Sequence, residues 1–356
     1  MGSRRSSQRT VRLAIIGTGG MAHTHAKQLN DIPGCALVAA CDIDRARVDA
    51  FCATHGIPAA FARVDELLAH TACDAVSIVT PDALHAPLSL QCLRAGRHVL
   101  CEKPLALNHA DARRMAAAAR RAGKVNLVNF SYRNWSALEG VVGLIHSGGI
   151  GDLRHVESSY LQAWIPSRIW GDWRKTPAWL WRLSTRHGSK GVLGDIGVHI
   201  VDFTTYPAGA IRRVYCQLKA FPKAPGDRVG EYRLDANDSA VLDVEFASGA
   251  LGTIHTTRWC GGHANRLFLR IAGTKGTVEI DSDHSTTAYR VCAGRDLDTC
   301  TWREVEVPAV PTIYQRFIAA IRHGGESTPD FARGAEVQRV LDACFASDAT
   351  QRPVTV

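Results

Sequence analysis

No stretch of this sequence approaches the ~20 consecutive apolar residues of a membrane-spanning helix, and the first ten residues, MGSRRSSQRT, hold no apolar core of a signal peptide. Residues 1–10 read as a disordered leader, and no membrane partner is expected. The eleven cysteines stand singly, with no CxxC pair. That pattern excludes a zinc ribbon and a disulfide framework and leaves reduced thiols in a cytoplasmic protein as the expectation. Net charge is +8, but the arginines are scattered and no basic run is interleaved with aromatics, so no nucleic-acid partner is expected. His23 and His25 lie two apart on a predicted helix and face different ways. No Cys/His cluster has ligand spacing, so no metal is expected either. Low-complexity tracts and internal repeats are lacking as well.

What the chain does have is an ordinary globular composition, 46% hydrophobic and 21% charged, over 356 residues, a length suited to two domains. Val11–Ile16 is a β-branched apolar run that stops at Gly17-Thr18-Gly19-Gly20-Met21-Ala22 and passes into a helical pattern. This is GxGxxA between a strand and a helix. Gly17 permits the turn, Gly19 lets the backbone approach a pyrophosphate, Ala22 allows close helix packing, and the phosphates meet the helix N-terminus. The next strand, residues 36–40, leads to Asp42, about 20 residues beyond the loop, where an acid binds the ribose hydroxyls of NAD. Arg45 and Arg47 follow, placed to accept the extra phosphate of NADP. NAD is the expected cofactor and NADP the alternative.

Residues 75–79, AVSIV, read as a parallel strand buried on both faces, ending at Thr80-Pro81, with His85 in the first turn of the next helix. Residues 99–105, VLCEKPL, form a second short strand that ends in Glu102, Lys103 and Pro104. Proline fixes its own φ and restricts the residue before it, so Lys103 is predicted on a rigid turn at the carboxyl end of a strand, where open α/β sheets bind ligands. An ammonium there can stand beside a hydroxyl that loses its proton. Alternating strands and helices over residues 11–130 predict an α/β Rossmann domain with a doubly wound, mostly parallel sheet.

Residues 131–356 are predicted to form an α+β domain with a large, mostly antiparallel open sheet. Its strands are expected at 214–220, 239–246, 250–259, 266–272 and 277–281. Trp164, Trp170, Trp173, Trp179 and Trp181 crowd one irregular stretch. Their faces suit a sugar, and they equally suit a core or a subunit interface. Residues 191–202, GVLGDIGVHIVD, start a helix on which Asp195 and His199 are four apart and share a face. A carboxylate beside an imidazole selects its tautomer and raises its basicity, as a general base for a hydroxyl requires, although such a pair also fits a structural role.

GTGGMA, CDID, VTPDALH and CEKP, in that order, resemble the N-terminal half of the Gfo/Idh/MocA oxidoreductases, and GDIGVHIVD resembles their second signature. The resemblance covers residues 11–356. It implies that Thr80, Pro81 and His85 line the cofactor site with the glycine loop, that Glu102 lies beside the nicotinamide ribose, and that Arg133 sits near the cofactor. Lys103 would be the catalytic-site lysine, met at the substrate by Asp195 and His199. Trp181-Arg182 stands at the separation of the family's Trp-Arg pair and joins the expected cofactor contacts; Arg182 and Trp164 join the expected substrate contacts. The family has three glycines before this helix in many members, whereas this chain has Ser189-Lys190-Gly191. An open sheet of this kind implies a homodimer or homotetramer.

The expected activity is hydride transfer between nicotinamide and a secondary alcohol of a sugar or cyclitol. The alternative is a glycoside-cleaving enzyme that oxidises its substrate transiently with a retained NAD. A non-catalytic sensor of dinucleotide or sugar is a third reading, set against the presence of Lys103, Asp195 and His199 together.

Overall fold

The structure, a computed structural model, describes residues 10–325 and 327–356, so the predicted leader lies outside the described residues except for Thr10. The chain divides into two compact units, one running to Ser131 and including Pro311–Gln338, the other made of Tyr132–Val310 and Arg339–Val356. A sequence boundary at residue 130 places residues 311–338 in the second domain; in the structure they belong to the first. Backbone pairing explains the return: Val128 N–H donates to Pro329 O at 2.9 Å, and Phe331 N–H to Asn126 Oδ1 at 2.8 Å.

In the first unit, β1 (Val11–Ile16), β2 (Cys35–Cys41), β3 (Ala60–Phe61), β4 (Ala75–Ile78), β5 (His98–Cys101) and β6 (Asn126–Val128) form one sheet in the order β3-β2-β1-β4-β5-β6. Every pairing is parallel. Leu13, Ile15, Val76, Ile78, Val99 and Leu100 are buried, as strands covered on both faces require. The order reverses between β1 and β4, which opens a crevice at their carboxyl ends. Three loops meet that end: Gly17–Gly20, Val79–Pro81 and Glu102–Pro104.

The second unit holds β7 (Leu153–Gln162), β8 (Ile211–Lys219), the small hairpin β9 (Arg228–Val229) and β10 (Tyr232–Arg233), then β11 (Ser239–Phe246) and β12 (Leu251–Thr257). After these come β13 (Asn265–Gly273), β14 (Gly276–Asp281), β15 (Ala288–Ala293), β16 (Arg303–Glu306) and β17 (Val354–Thr355). Nine of them make a sheet in the order β16-β15-β14-β13-β7-β12-β11-β8-β17, antiparallel except for the β7/β12 pair. Alternation sets its two faces: Ala240, Leu242, Val244 and Phe246 are buried, while Val241 and Asp243 between them are exposed. Helix Val198–Ala208 packs on β7, β12 and β13. The opposite face carries ion pairs from Arg270 to Glu157 and Glu279 and from Arg266 to Asp281.

Candidate active site

Gly17 has φ +90°, and a Cβ there would lie 2.6 Å from Val79 O, so only glycine fits this approach of the β1 and β4 loops. At Gly19 and Gly20 the space is open, with nothing within 4 Å of an added Cβ. Helix Gly20–Asn30 has no side-chain cap and no acid in its first turn. Its N–H groups and the positive end of its dipole therefore face the loop uncompensated, which suits a pyrophosphate. Thr18 is buried and Met21 exposed.

Asp42 Oδ2 accepts from Thr18 N–H at 2.8 Å and Thr18 Oγ1 at 2.9 Å; Oδ1 accepts from Asp44 N–H at 3.0 Å and Arg47 Nη2 at 2.6 Å. Burial pushes this carboxyl up, but the bonds from Arg47, Asp44 and Thr18 outweigh it and bring it down to about 2. Asp42 is thus an ionised acceptor at neutral pH, as ribose hydroxyls require. These residues fit a dinucleotide.

At the end of β5, Glu102 is buried and held by the rest of its unit. Oε1 lies 2.8 Å from His25 Nε2 and accepts from Asn129 Nδ2 at 2.6 Å, and Oε2 accepts from Lys103 N–H at 3.1 Å. Burial raises this carboxyl, and His25, Lys103 and Asn129 overcome it, lowering it to about 2. An ionised Glu102 makes His25 Nε2 the donor of their bond. His25 Nδ1 meets Ser77 Oγ at 2.8 Å, and Asn129 also donates to Tyr314 OH at 3.1 Å. The glycine-loop helix, β4, β5 and helix Ile313–His323 are thereby tied under the turn that carries Lys103. His85, expected to line the cofactor site, is 1% exposed; Thr80 is half-buried and Pro81 exposed.

In the second unit, the expected regular helix at the Asp195/His199 motif opens as a π turn, Leu193–Gly197, before α-helix Val198–Ala208. Its two glycines sit in close contacts. A Cβ on Gly194 would lie 2.4 Å from Lys190 Cβ, and one on Gly197 2.9 Å from Leu193 Cδ1. Asp195 Oδ2 accepts from Arg258 Nη2 at 2.8 Å and lies 3.6 Å from Arg182 Nε. Arg258 itself is fully buried over the Trp164 ring and donates to Arg182 O at 3.2 Å. Arg182 lies over Trp179 and Trp181.

His199 is 8% exposed, and its ring meets Tyr132 edge to face at 4.8 Å. Tyr132 OH is bonded to Tyr160 OH; Tyr160 donates to Asn265 Oδ1 at 2.6 Å, and Gln162 Nε2 to the same oxygen at 2.9 Å. Burial, and then Tyr132, push the Tyr160 hydroxyl well above its ordinary value, so it stays neutral beside His199. Sequence reading missed Arg258, Tyr132, Tyr160 and Asn265. Only the break in alternation where β12 runs into an arginine marks any of them.

Two predicted site residues lie elsewhere in their surroundings. Arg133, expected near the cofactor, is 1% exposed and spends its guanidinium on Asp202, Nε to Oδ2 at 2.7 Å and Nη2 to Oδ1 at 2.8 Å, with its face on Tyr206. Trp164, expected at the substrate, is 4% exposed in a cluster with Ile165, Trp173, Leu180, Leu183 and Leu234, and its Nε1 donates to Gln162. Trp170, by contrast, is exposed and stacks on Trp179.

Residues 11–130 match the family model described as oxidoreductase family, NAD-binding Rossmann fold, and residues 138–279 match the GFO/IDH/MocA C-terminal domain. The chain belongs to the Gfo/Idh/MocA oxidoreductases. It is 28% identical over 318 residues to a levoglucosan dehydrogenase of Pseudarthrobacter phenanthrenivorans, covering 79% of each chain. It is 31% identical over 271 residues to a 1,5-anhydro-D-fructose reductase of Ensifer adhaerens, covering 75% of this chain and 74% of that one. The crystal structure of an oxidoreductase domain protein from Kribbella flavida superposes with a TM-score of 0.86 at 29% identity, over 98% of this chain and 99% of that one.

As a Gfo/Idh/MocA member the protein binds NAD; the open space at Gly19 and Gly20 and the ionised Asp42 would fit such a ligand. Lys190 is exposed, and its ammonium lies 5.8 Å from the Phe345 ring. Among the described residues there is no cluster of three or more metal-ligating side chains, and no helix is long and apolar enough to cross a membrane.

Proposed function

We propose that this protein is a cytoplasmic NAD-dependent dehydrogenase that oxidises a secondary alcohol of a sugar or cyclitol, or reduces the matching ketone. Lys103, Asp195 and His199 form its catalytic group, and it assembles as a homodimer or homotetramer through the nine-stranded sheet. The observation that carries this reading is the setting of His199: a buried imidazole against two hydrogen-bonded phenols, on the helix that also presents an Asp195 gripped by Arg258 and Arg182. Such a ring can take a proton from a polyol hydroxyl as a general base. His199 accepts the hydroxyl proton at a ring nitrogen. Asp195, fixed by its arginines, orients the substrate and the imidazole, and the Lys103 ammonium stabilises the oxygen as its charge develops. Nicotinamide, when bound, supplies the hydride acceptor.

NAD over NADP is supported by the ionised Asp42, which repels a 2′-phosphate. The anhydrosugar names of two relatives support a neutral pyranose-like substrate. The test is NADH appearance when the purified protein and NAD are offered inositols, aldoses, anhydrosugars and glycosides. Steady formation with at least one neutral polyol is the expected result. Glycoside cleavage with a retained cofactor and no net NADH would replace this reading with the eliminating glycosidase.

A further inference from the structure

His85 begins helix His85–Arg94 and is shut away from solvent. Its Nδ1 lies 2.7 Å from Pro104 O and its Nε2 2.9 Å from Thr80 O. Both of these oxygens are carbonyls, which only accept, and the Cys101 thiol also bonds to the ring. A neutral imidazole has one N–H and would set a lone pair against one of them; only the doubly protonated ring satisfies both. From this geometry we infer that His85 is an imidazolium at neutral pH that staples the β4 turn to the β5 turn, a positioning residue for the cofactor loop and for Lys103.

The charge has company. Asp82 on the preceding turn and Cys101 at the end of β5 face the ring, together with the two carbonyls. Burial works against the cation; Cys101, Asp82 and the Pro104 carbonyl outweigh it and lift the group to about 10. A group raised in this way contributes fully below its ordinary value near 6.5, keeps contributing through neutral pH, and loses its effect as pH rises through about 10.

What the staple holds is functional ground. The Val79–Thr80 segment is the surface on which Gly17 rests, since a Cβ on Gly17 would lie 2.6 Å from Val79 O and 3.0 Å from Thr80 Cγ2. Pro104 is the residue next to Lys103. Without the second N–H, one turn is released, and the glycine loop loses its backing. The consequence for Lys103 rests on its proposed catalytic role; the charge on His85 does not.

The test uses full-length protein labelled with ¹⁵N-histidine, the His85 signals being assigned by their loss in His85→Gln or, if that variant does not fold, His85→Asn. Both ring nitrogens are expected at imidazolium shifts from pH 6 to pH 9. A ring that is neutral at pH 8 overturns the inference. The second readout is NADH binding in a Lys103→Met background, which removes the lysine's own titration. Affinity should fall by roughly tenfold or more between pH 8 and pH 10.5, the scale of one charge-assisted hydrogen bond, while His85→Gln added to that background binds as weakly at pH 8 and shows no further step. Equal affinity with and without His85 across that range also overturns it. Failure of Lys103's catalytic assignment would appear as unchanged turnover in Lys103→Met and leave both readouts as stated.

Discussion

Lys103→Met and His199→Asn should each lower kcat by about a hundred- to ten-thousandfold while NADH affinity changes only a few-fold, as expected for groups that act on the reacting hydroxyl. The structure gives the reason for the split. The turn of Lys103 is held from below by Glu102, which accepts the Lys103 N–H and is itself fixed by His25 and Asn129. These bonds use the backbone of residue 103 and not its ammonium, so the turn keeps its shape when the side chain is cut. His199 stands on a buried helix whose packing rests on Val198, Ile200, Val201 and Phe203, and asparagine leaves those contacts in place. Steady-state kinetics with a turned-over polyol, beside tryptophan-fluorescence titration with NADH, separates the two quantities. Lost NADH binding with unchanged kcat at saturation would remove both residues from the catalytic group.

Asp202→Ala should cost about 3–5 kcal/mol of stability, seen as a large fall in the urea midpoint of the second unit. Arg133 and Asp202 form a two-bond ion pair with side chains 1% and 3% exposed, and the guanidinium also covers the Tyr206 ring. Removing the carboxylate takes both charge-assisted hydrogen bonds from a buried guanidinium and leaves Glu139 as its more distant acidic neighbour. The substitution therefore tests what Arg133 is for. Normal stability with a selective loss of NADH affinity would return Arg133 to the cofactor, the role its sequence neighbourhood suggested.

The contrast between these two cases shows what could be read in advance. The glycine loop, Asp42 and the Lys103 turn were legible because each depends on residues adjacent in sequence: an apolar β run, a glycine or proline, and the end of a strand. Their chemistry is local, and so is its signal. Arg133 depends on an aspartate 69 residues away, and Arg258 on Asp195 63 residues away; no spacing rule reaches that far.

The Asp195/His199 helix was half legible. Its apolar periodicity is regular, but that periodicity carries no mark of the π turn at Leu193–Gly197, where Gly194 and Gly197 pack closely on Lys190 and Leu193. Trp164 shows the limit of composition: a tryptophan that suits a sugar also suits a core, and contacts with Trp173, Trp179 and Arg258 put this one inside. Strands β16 and β17 escaped prediction because they are short and sit at the edges of the sheet, and β15 because its burial does not alternate.

The central claim is direct hydride transfer from a polyol carbon to nicotinamide. Its most direct test is the reaction of a polyol that yields NADH, deuterated at the carbinol carbon, followed by mass analysis of the cofactor. The account predicts one deuterium retained in the reduced nicotinamide and a primary isotope effect on the step that His199 and Lys103 serve. Deuterium released to water, or a cleaved glycoside beside unreduced cofactor, would contradict it.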